Sequence, residues 1–153
     1  MIPCGKLTDR YGRVRLFKLG LAVFGVGALI ASVSQGLGLL IVGYSLFEGV
    51  GTALLIPPVY ILATMLFKET TSRAHAFGMI MAAGGVGAVA GPLIGGLITT
   101  AIGWRASFVF QAMIVGVVLW LSRKLEDPLP ADPTRPLDLR GAILSSLGLV
   151  LFV

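Results

Sequence analysis

One acidic side chain in the middle of a long apolar stretch is the residue most able to do chemistry in this sequence. Glu48 lies in the apolar stretch 39–67, about 14 Å from its beginning at the rise of an α-helix. Ser45 and Thr52 are predicted to share its helix face, three residues before and four residues after it. A carboxyl group at that depth could take up and release a proton, or it could stay hydrogen-bonded between packed helices. Acidic residues inside membrane spans usually mark ion pathways, so we favour proton transfer by Glu48.

A second candidate is the basic segment 5–15, which reads Gly-Lys-Leu-Thr-Asp-Arg-Tyr-Gly-Arg-Val-Arg. A carboxylate such as that of Asp9 is favoured at the positive end of a helix. Arginines such as Arg10 and Arg13 form forked pairs with acidic groups. The segment could therefore hold neighbouring helix ends together, or it could be a plain basic anchor at the membrane surface.

Small residues at four-residue spacing form the third candidate, in the apolar stretch 76–101. Gly87, Gly91 and Gly95 recur on one helix face, beside Pro92 and Gly96. Such a face allows another backbone to approach unusually closely, and the proline is expected to bend the helix.

Residue patterns of the common enzyme and cofactor classes are missing from the sequence. The glycine-rich run 84–96 is not a phosphate loop, because it lies inside an apolar stretch without a following Lys-Ser or Lys-Thr pair. We find no nucleophile–base pair and no cluster of metal ligands. The chain is therefore predicted not to be an enzyme and to need no cofactor or metal.

The composition indicates how these residues are positioned. Of the 153 residues, 56% are hydrophobic and only 12% are charged, whereas soluble domains carry about 25% charged residues. A bilayer core of about 30 Å needs roughly 20 residues of helix, and four stretches approach or exceed that length: 17–35, 39–67, 76–101 and 106–122. The sequence predicts an all-α, polytopic bundle of transmembrane helices.

The distribution of charge predicts the orientation of the bundle. Eleven of the 12 basic residues lie in or beside alternate loops, and Arg105 is the exception. By the positive-inside rule, the segment 5–15 and the polar, proline-rich linker 125–139 are cytoplasmic. The lipid bilayer is thus an expected partner, whereas nucleic acid is not, because no continuous basic face is available.

Both ends of the sequence suggest a piece of a larger membrane protein. Residues 1–4 look like the last turn of a helix, and residues 140–153 look like the start of a further transmembrane helix. The remaining helices of the full-length protein are therefore expected partners.

These motifs resemble those of the major facilitator superfamily of secondary transporters. The segment 5–13 is similar to the family pattern Gly-x-Leu-x-Asp-Arg-x-Gly-Arg between helices 2 and 3. The run from Gly87 to Gly96 resembles the helix-5 pattern of drug antiporters, and Trp104-Arg105 with Phe108 is similar to the start of helix 6 in the drug:proton antiporter branch.

The resemblance implies that residues 1–124 are part of the N-terminal transporter half, from the end of helix 2 to helix 6. The short linker before the next apolar run resembles the members with fourteen helices. The family alternates access by rocking two halves, and its loop motif latches one conformation. Carried over to this chain, the latch residues are Gly5, Asp9, Arg10, Gly12 and Arg13.

One departure from the family pattern concerns helix 4. An arginine implicated in proton coupling is replaced here by Ser45, and the aligned glutamine is replaced by Glu48. We therefore expect Glu48 to carry the proton. The most consistent function is proton-coupled efflux of small amphipathic or drug-like compounds across the cell membrane. Two alternatives stay open, a proton-coupled nutrient or metabolite symporter and a membrane scaffold or sensor that does not transport.

Overall fold

Four long helices make up the described part of the chain in a computed structural model. The structure describes residues 7–8 and 10–127, and positions 141, 143, 144, 147, 148 and 151 near the C-terminus. The helices are α1 (Arg13–Ser32), α2 (Leu37–Leu66), α3 (Thr70–Ala101) and α4 (Trp104–Leu121), and a 3₁₀ turn, Ser122–Lys124, follows α4. No strand occurs in these ranges, which confirms the all-α prediction.

All four helices are long and apolar enough to cross a membrane. The predicted stretches agree with them within a few residues, except at the start of α3. That helix begins at Thr70 rather than near residue 76, and five of the six residues 70–75 are polar, Ala74 being the exception. Hydropathy marks the part of a helix that lies in lipid, whereas the helix itself can continue beyond the bilayer.

Glycines with positive φ angles stand at the beginnings of α1 and α4. Gly12 has φ +96° and Gly103 has φ +130°, a region that other residues rarely adopt. At Gly103 the chain turns back within two residues of the end of α3. These two positions therefore fix where α1 and α4 begin.

Helix α1 lies between α2 and α4 and supplies most of the buried apolar residues. Its contact with α2 is a backbone contact, because a methyl group at Gly27 would lie 2.7 Å from the Gly43 carbonyl oxygen. A methyl group at Gly51 would lie 2.8 Å from the Phe24 nitrogen. Small residues thus allow the two helices to approach without intervening side chains.

The first half of helix α2, which follows the Val33–Gly36 turn, is not a regular α-helix. An α-helical start, Leu37–Leu40, leads into an eight-residue π-helical segment, Ile41–Glu48, and the α-helix resumes at Gly49. It then continues through Pro57 and Pro58 to Leu66. The sequence did not predict the π-helix, which is a rare structure often found at functional sites.

Helix α3 lies at the edge of the bundle and contacts mainly α4. Ala76 is the only residue of α3 that is buried by the described part of the chain. A methyl group at Gly87, Gly91 or Gly95 would meet no atom within 4 Å, the adjacent turns of α3 itself aside. The close approach predicted for this face thus has no partner among the described residues.

We predict different effects for two glycine-to-alanine substitutions. Gly27→Ala should destabilise the full-length protein by about 1–3 kcal/mol, because its methyl group would meet the α2 backbone. Gly116→Ala, in open space on α4, should be neutral or stabilising by up to about 1 kcal/mol. Thermal unfolding of the two detergent-solubilised variants would reveal the difference. Equal midpoints for both would contradict the close packing of α1 and α2.

Candidate functional site

Glu48 is the last residue of the π-helical segment, and its side chain is only 6% exposed. Helix α1 covers its backbone, since a methyl group at Gly27 would lie 3.0 Å from the Glu48 nitrogen. The carboxyl group therefore lies inside the bundle formed by α1, α2 and α4.

Gln111 on α4 is the hydrogen-bond partner of Glu48. Its Nε2 donates to Glu48 Oε2 over 2.9 Å, which joins residues that are 63 positions apart. The sequence predicted no partner for Glu48 on the fourth helix. Hydropathy and residue spacing contain no signal for this pair, because Gln111 is an ordinary polar residue in an apolar helix.

The second oxygen of the carboxyl group has a different environment. Glu48 Oε1 is buried and has no hydrogen-bond partner among the described residues. Buried polar atoms are normally paired, so this oxygen is the atom of the carboxyl group at which a proton would bind. Gln111 holds one oxygen of the group, and the other is buried without a partner in the described chain.

The polar residues near Glu48 differ from the predicted arrangement. Thr52 Oγ1 donates to the Glu48 backbone carbonyl over 2.7 Å, whereas the Ser45 side chain is exposed. A π-helix has more residues per turn than an α-helix, so an offset of three residues no longer returns to the same face. The prediction that Ser45 shares the face of Glu48 was therefore wrong.

The predicted latch segment is only partly described. Gly5 and Asp9 lie outside the described residues, while Arg10 and Gly12 directly precede α1 and Arg13 is its first residue. The Arg10 guanidinium lies over the Tyr11 ring at 5.7 Å from its centre, and Arg13 is 8% exposed.

An unpredicted carboxylate contacts this segment from the other end of the described chain. Asp127 Oδ1 accepts a hydrogen bond from the Val14 backbone N–H over 2.9 Å. Lys18 Nζ donates to the Leu125 carbonyl oxygen over 3.2 Å. The sequence analysis predicted that residues 125–127 are part of a linker, and it predicted no contact between them and α1.

At the opposite end of the bundle, Arg105 joins two turns. Its Nε and Nη2 donate to the Ser34 carbonyl oxygen over 3.2 and 2.8 Å, and its guanidinium lies 4.4 Å from the centre of the Trp104 ring. The Val33–Gly36 and Ile102–Gly103 turns therefore lie together at one end, and Gly12 and Asp127 lie together at the other. This arrangement fits helices that cross the membrane in alternating directions.

The three predicted groups of functional residues lie in separate places. The latch residues that are described stand at the start of α1, Glu48 lies inside the bundle, and the glycine face is on the open side of α3. Within the described ranges, no three His, Cys, Asp or Glu side chains lie close enough to hold a metal ion.

Comparisons with known proteins agree with the motifs. The family model described as Major Facilitator Superfamily matches residues 1–152. The chain is 34% identical, over 97% of its length, to the puromycin resistance protein pur8 of Streptomyces alboniger. It is 32% identical over its full length to the methyl viologen resistance protein SmvA of Salmonella typhimurium. It is 34% identical, over 96% of its length, to the cephamycin export protein CmcT of Amycolatopsis lactamdurans.

These alignments cover only part of each relative, namely 29%, 31% and 30% of their respective lengths. The chain thus spans about three tenths of the curated relatives that it matches. No solved structure is significantly similar to it. The three relatives are named for resistance or export, and none of the three names is that of an enzyme.

We predict that the hydrogen bonds from Arg105 to the Ser34 carbonyl oxygen protect the Val33–Gly36 turn from thiol reagents. A thiol introduced by Ser34→Cys in a cysteine-free background should react slowly with an impermeant maleimide added to intact cells, because Ser34 is 1% exposed. Arg105→Ala should accelerate labelling by about ten- to a hundredfold, the range expected when hydrogen bonds from a charged group are lost.

Arg123→Ala, at the other end of α4, is the matched control and should leave the labelling rate unchanged. An equal rate in the Arg105 variant would show that Arg105 does not hold this turn. Labelling only from the cytoplasmic side would contradict the predicted orientation.

Proposed function

Because the chain belongs to the major facilitator superfamily, we propose that it is part of a proton-coupled exporter of small amphipathic or drug-like compounds. In this proposal residues 1–124 belong to the N-terminal half, residues 125–139 form a cytoplasmic linker, and residues 140–153 begin a further transmembrane helix. The full-length protein lies in the cell membrane with the segment 5–15 on the cytoplasmic side. The greater length of the relatives supports the existence of further helices.

The names of the relatives support export as the direction of transport. Three proteins that resemble the chain are named for resistance to puromycin, resistance to methyl viologen and export of cephamycin. A further relative, 30% identical to the chain, is named as a riboflavin transporter. We therefore propose efflux as the leading function and keep nutrient uptake as the alternative.

The observation that carries the proposal is the geometry of Glu48. Glu48 is buried, Gln111 holds one carboxyl oxygen, and the other oxygen is buried without a hydrogen-bond partner in the described chain. The position at which the family pattern has an arginine is occupied by the exposed Ser45. Glu48 is therefore the group in the described chain best suited to accept and release the coupling proton.

Protonation of Glu48 would act on three helices at once. The residue belongs to α2, its backbone lies against Gly27 of α1, and its side chain binds Gln111 of α4. Gaining or losing the charge changes the strength of the hydrogen bond from Gln111, because bonds to ionised acceptors are stronger. The packing of α1, α2 and α4 could thereby depend on the proton, which is what coupled alternating access requires.

The remaining predicted residues have roles outside this site in the proposed transporter. Gly5, Asp9, Arg10, Gly12 and Arg13 would latch one conformation at the cytoplasmic surface. The α3 face formed by Gly87, Gly91, Pro92, Gly95 and Gly96 would pack against helices that the described residues do not include. Such packing fits small residues, which permit close helix contacts in lipid.

We predict that Glu48→Gln uncouples efflux from the proton gradient. The amide preserves the shape of the side chain and can still accept from Gln111, but it cannot release a proton at neutral pH. In energised inside-out vesicles carrying the full-length protein, gradient-driven transport of the fluorescent cation ethidium should fall to the level of empty vesicles. Glu69→Gln, which changes an exposed carboxylate before α3, should retain wild-type transport.

The same vesicle experiment distinguishes the exporter from the symporter and the scaffold. Gradient dependence that persists in Glu48→Gln would exclude Glu48 as the proton carrier. Movement of a substrate only in the opposite direction would favour the symporter, and wild-type protein without gradient-dependent transport of any probe would favour the scaffold.

A further inference from the structure

Helix α1 begins with a local sequence that does not stabilise a helix start. Gly12 stands at the N-cap and offers no side chain, and the first turn has no acidic residue. It contains Arg13 and Arg15 instead. The first N–H groups of a helix need acceptors, and positive side chains are unfavourable at its positive end.

Asp127, far away in the sequence, provides the acceptor that the residues around Gly12 do not provide. Its Oδ1 accepts the Val14 N–H over 2.9 Å, although the two residues are 113 positions apart. Its Oδ2 lies over Gly12, where a methyl group would approach it to 2.7 Å. Two features therefore require glycine at position 12. Its φ angle is +96°, and a side chain there would collide with the Asp127 carboxylate.

A second contact holds the same segment. Lys18, one turn further along α1, donates from Nζ to the Leu125 carbonyl oxygen. Residues 125–127, which leave α4, are thus bound to the first two turns of α1 by both a carboxylate and a carbonyl. The neighbouring acidic residue Glu126 is exposed and has no hydrogen bond within the described ranges.

We propose that Asp127 is a positioning residue that caps α1 and couples the chain leaving α4 to the segment Arg10–Arg15. Because the carboxylate holds the start of α1, any displacement of residues 125–127 moves the arginines of that segment. The role in transport rests on the proposed function, in which this segment is a conformational latch. The cap itself does not depend on that function.

The test measures the position of the segment and the transport rate separately in the full-length protein. Thr8 is fully buried, and its carbonyl oxygen accepts from the Gly12 N–H, so a thiol introduced by Thr8→Cys in a cysteine-free background reports on the segment. In inside-out vesicles, Asp127→Ala should increase the rate of maleimide labelling by about two- to thirtyfold, the range expected for loss of an N-cap contact. Ethidium turnover should fall while the concentration for half-maximal transport stays the same.

Three further variants make the test specific. Glu126→Ala should change neither rate, because Glu126 is exposed and makes no hydrogen bond to α1 in the described chain. Asp127→Asn keeps an acceptor but loses the charge, so its labelling rate should lie between those of wild type and Asp127→Ala. Gly12→Ala should slow transport, and Asp127→Ala should partly rescue it by removing the oxygen that the methyl group meets, a non-additive effect expected only for groups in contact.

Unchanged labelling in both Asp127 variants would overturn the proposal, whatever the transport result. Faster labelling with normal turnover would overturn the coupling to transport. If the wild-type protein transports no probe, the proposed function fails, and the labelling rates still decide whether Asp127 holds the segment.

Discussion

Between Gly27 and Gly43 the backbones of α1 and α2 approach so closely that a single methyl group would lie 2.7–2.8 Å from backbone atoms of the other helix. In lipid, helices associate without a hydrophobic driving force, so close packing of this kind contributes strongly to their contact. Gly43 and Glu48 belong to the same π-helical segment. This close approach therefore places the π-helical turns of α2 directly against α1. In that position the carboxyl group of Glu48 can accept a hydrogen bond from Gln111 on α4.

The identity and order of the helices could be predicted from the sequence because they depend on local properties. Long apolar stretches, glycines at turns and basic residues on alternate loops are sufficient to indicate four membrane crossings. The details of the site depend on other properties. The π-helical segment Ile41–Glu48 changes which side chains share a face, so α-helical spacing places Ser45 beside Glu48 although its side chain is exposed.

Partners from distant parts of the sequence were also beyond prediction. Gln111 is an ordinary polar residue in an apolar helix, and only its position against α2 identifies it as the donor to Glu48. Asp127 resembles any acidic residue in a proline-rich linker until its contact with Val14 is seen. Both belong to pairs whose members lie far apart in sequence, and hydropathy and spacing have no information about such pairs.

Helix α4 is fastened at three depths, by Arg105 to the Ser34 carbonyl, by Gln111 to Glu48, and just beyond its end by Asp127 to Val14. These three contacts set the position of α4 along α1 and α2. A change at the middle contact, between Gln111 and Glu48, would therefore act between two attached ends. Helix α3 is held near its end, where Thr99 and Gly95 contact Ser107 of α4, and near its start, where the Phe77 ring stacks on Tyr60 of α2. The stretch of α3 between these contacts is mostly exposed in the described chain, so it is the part of the bundle that further helices can cover.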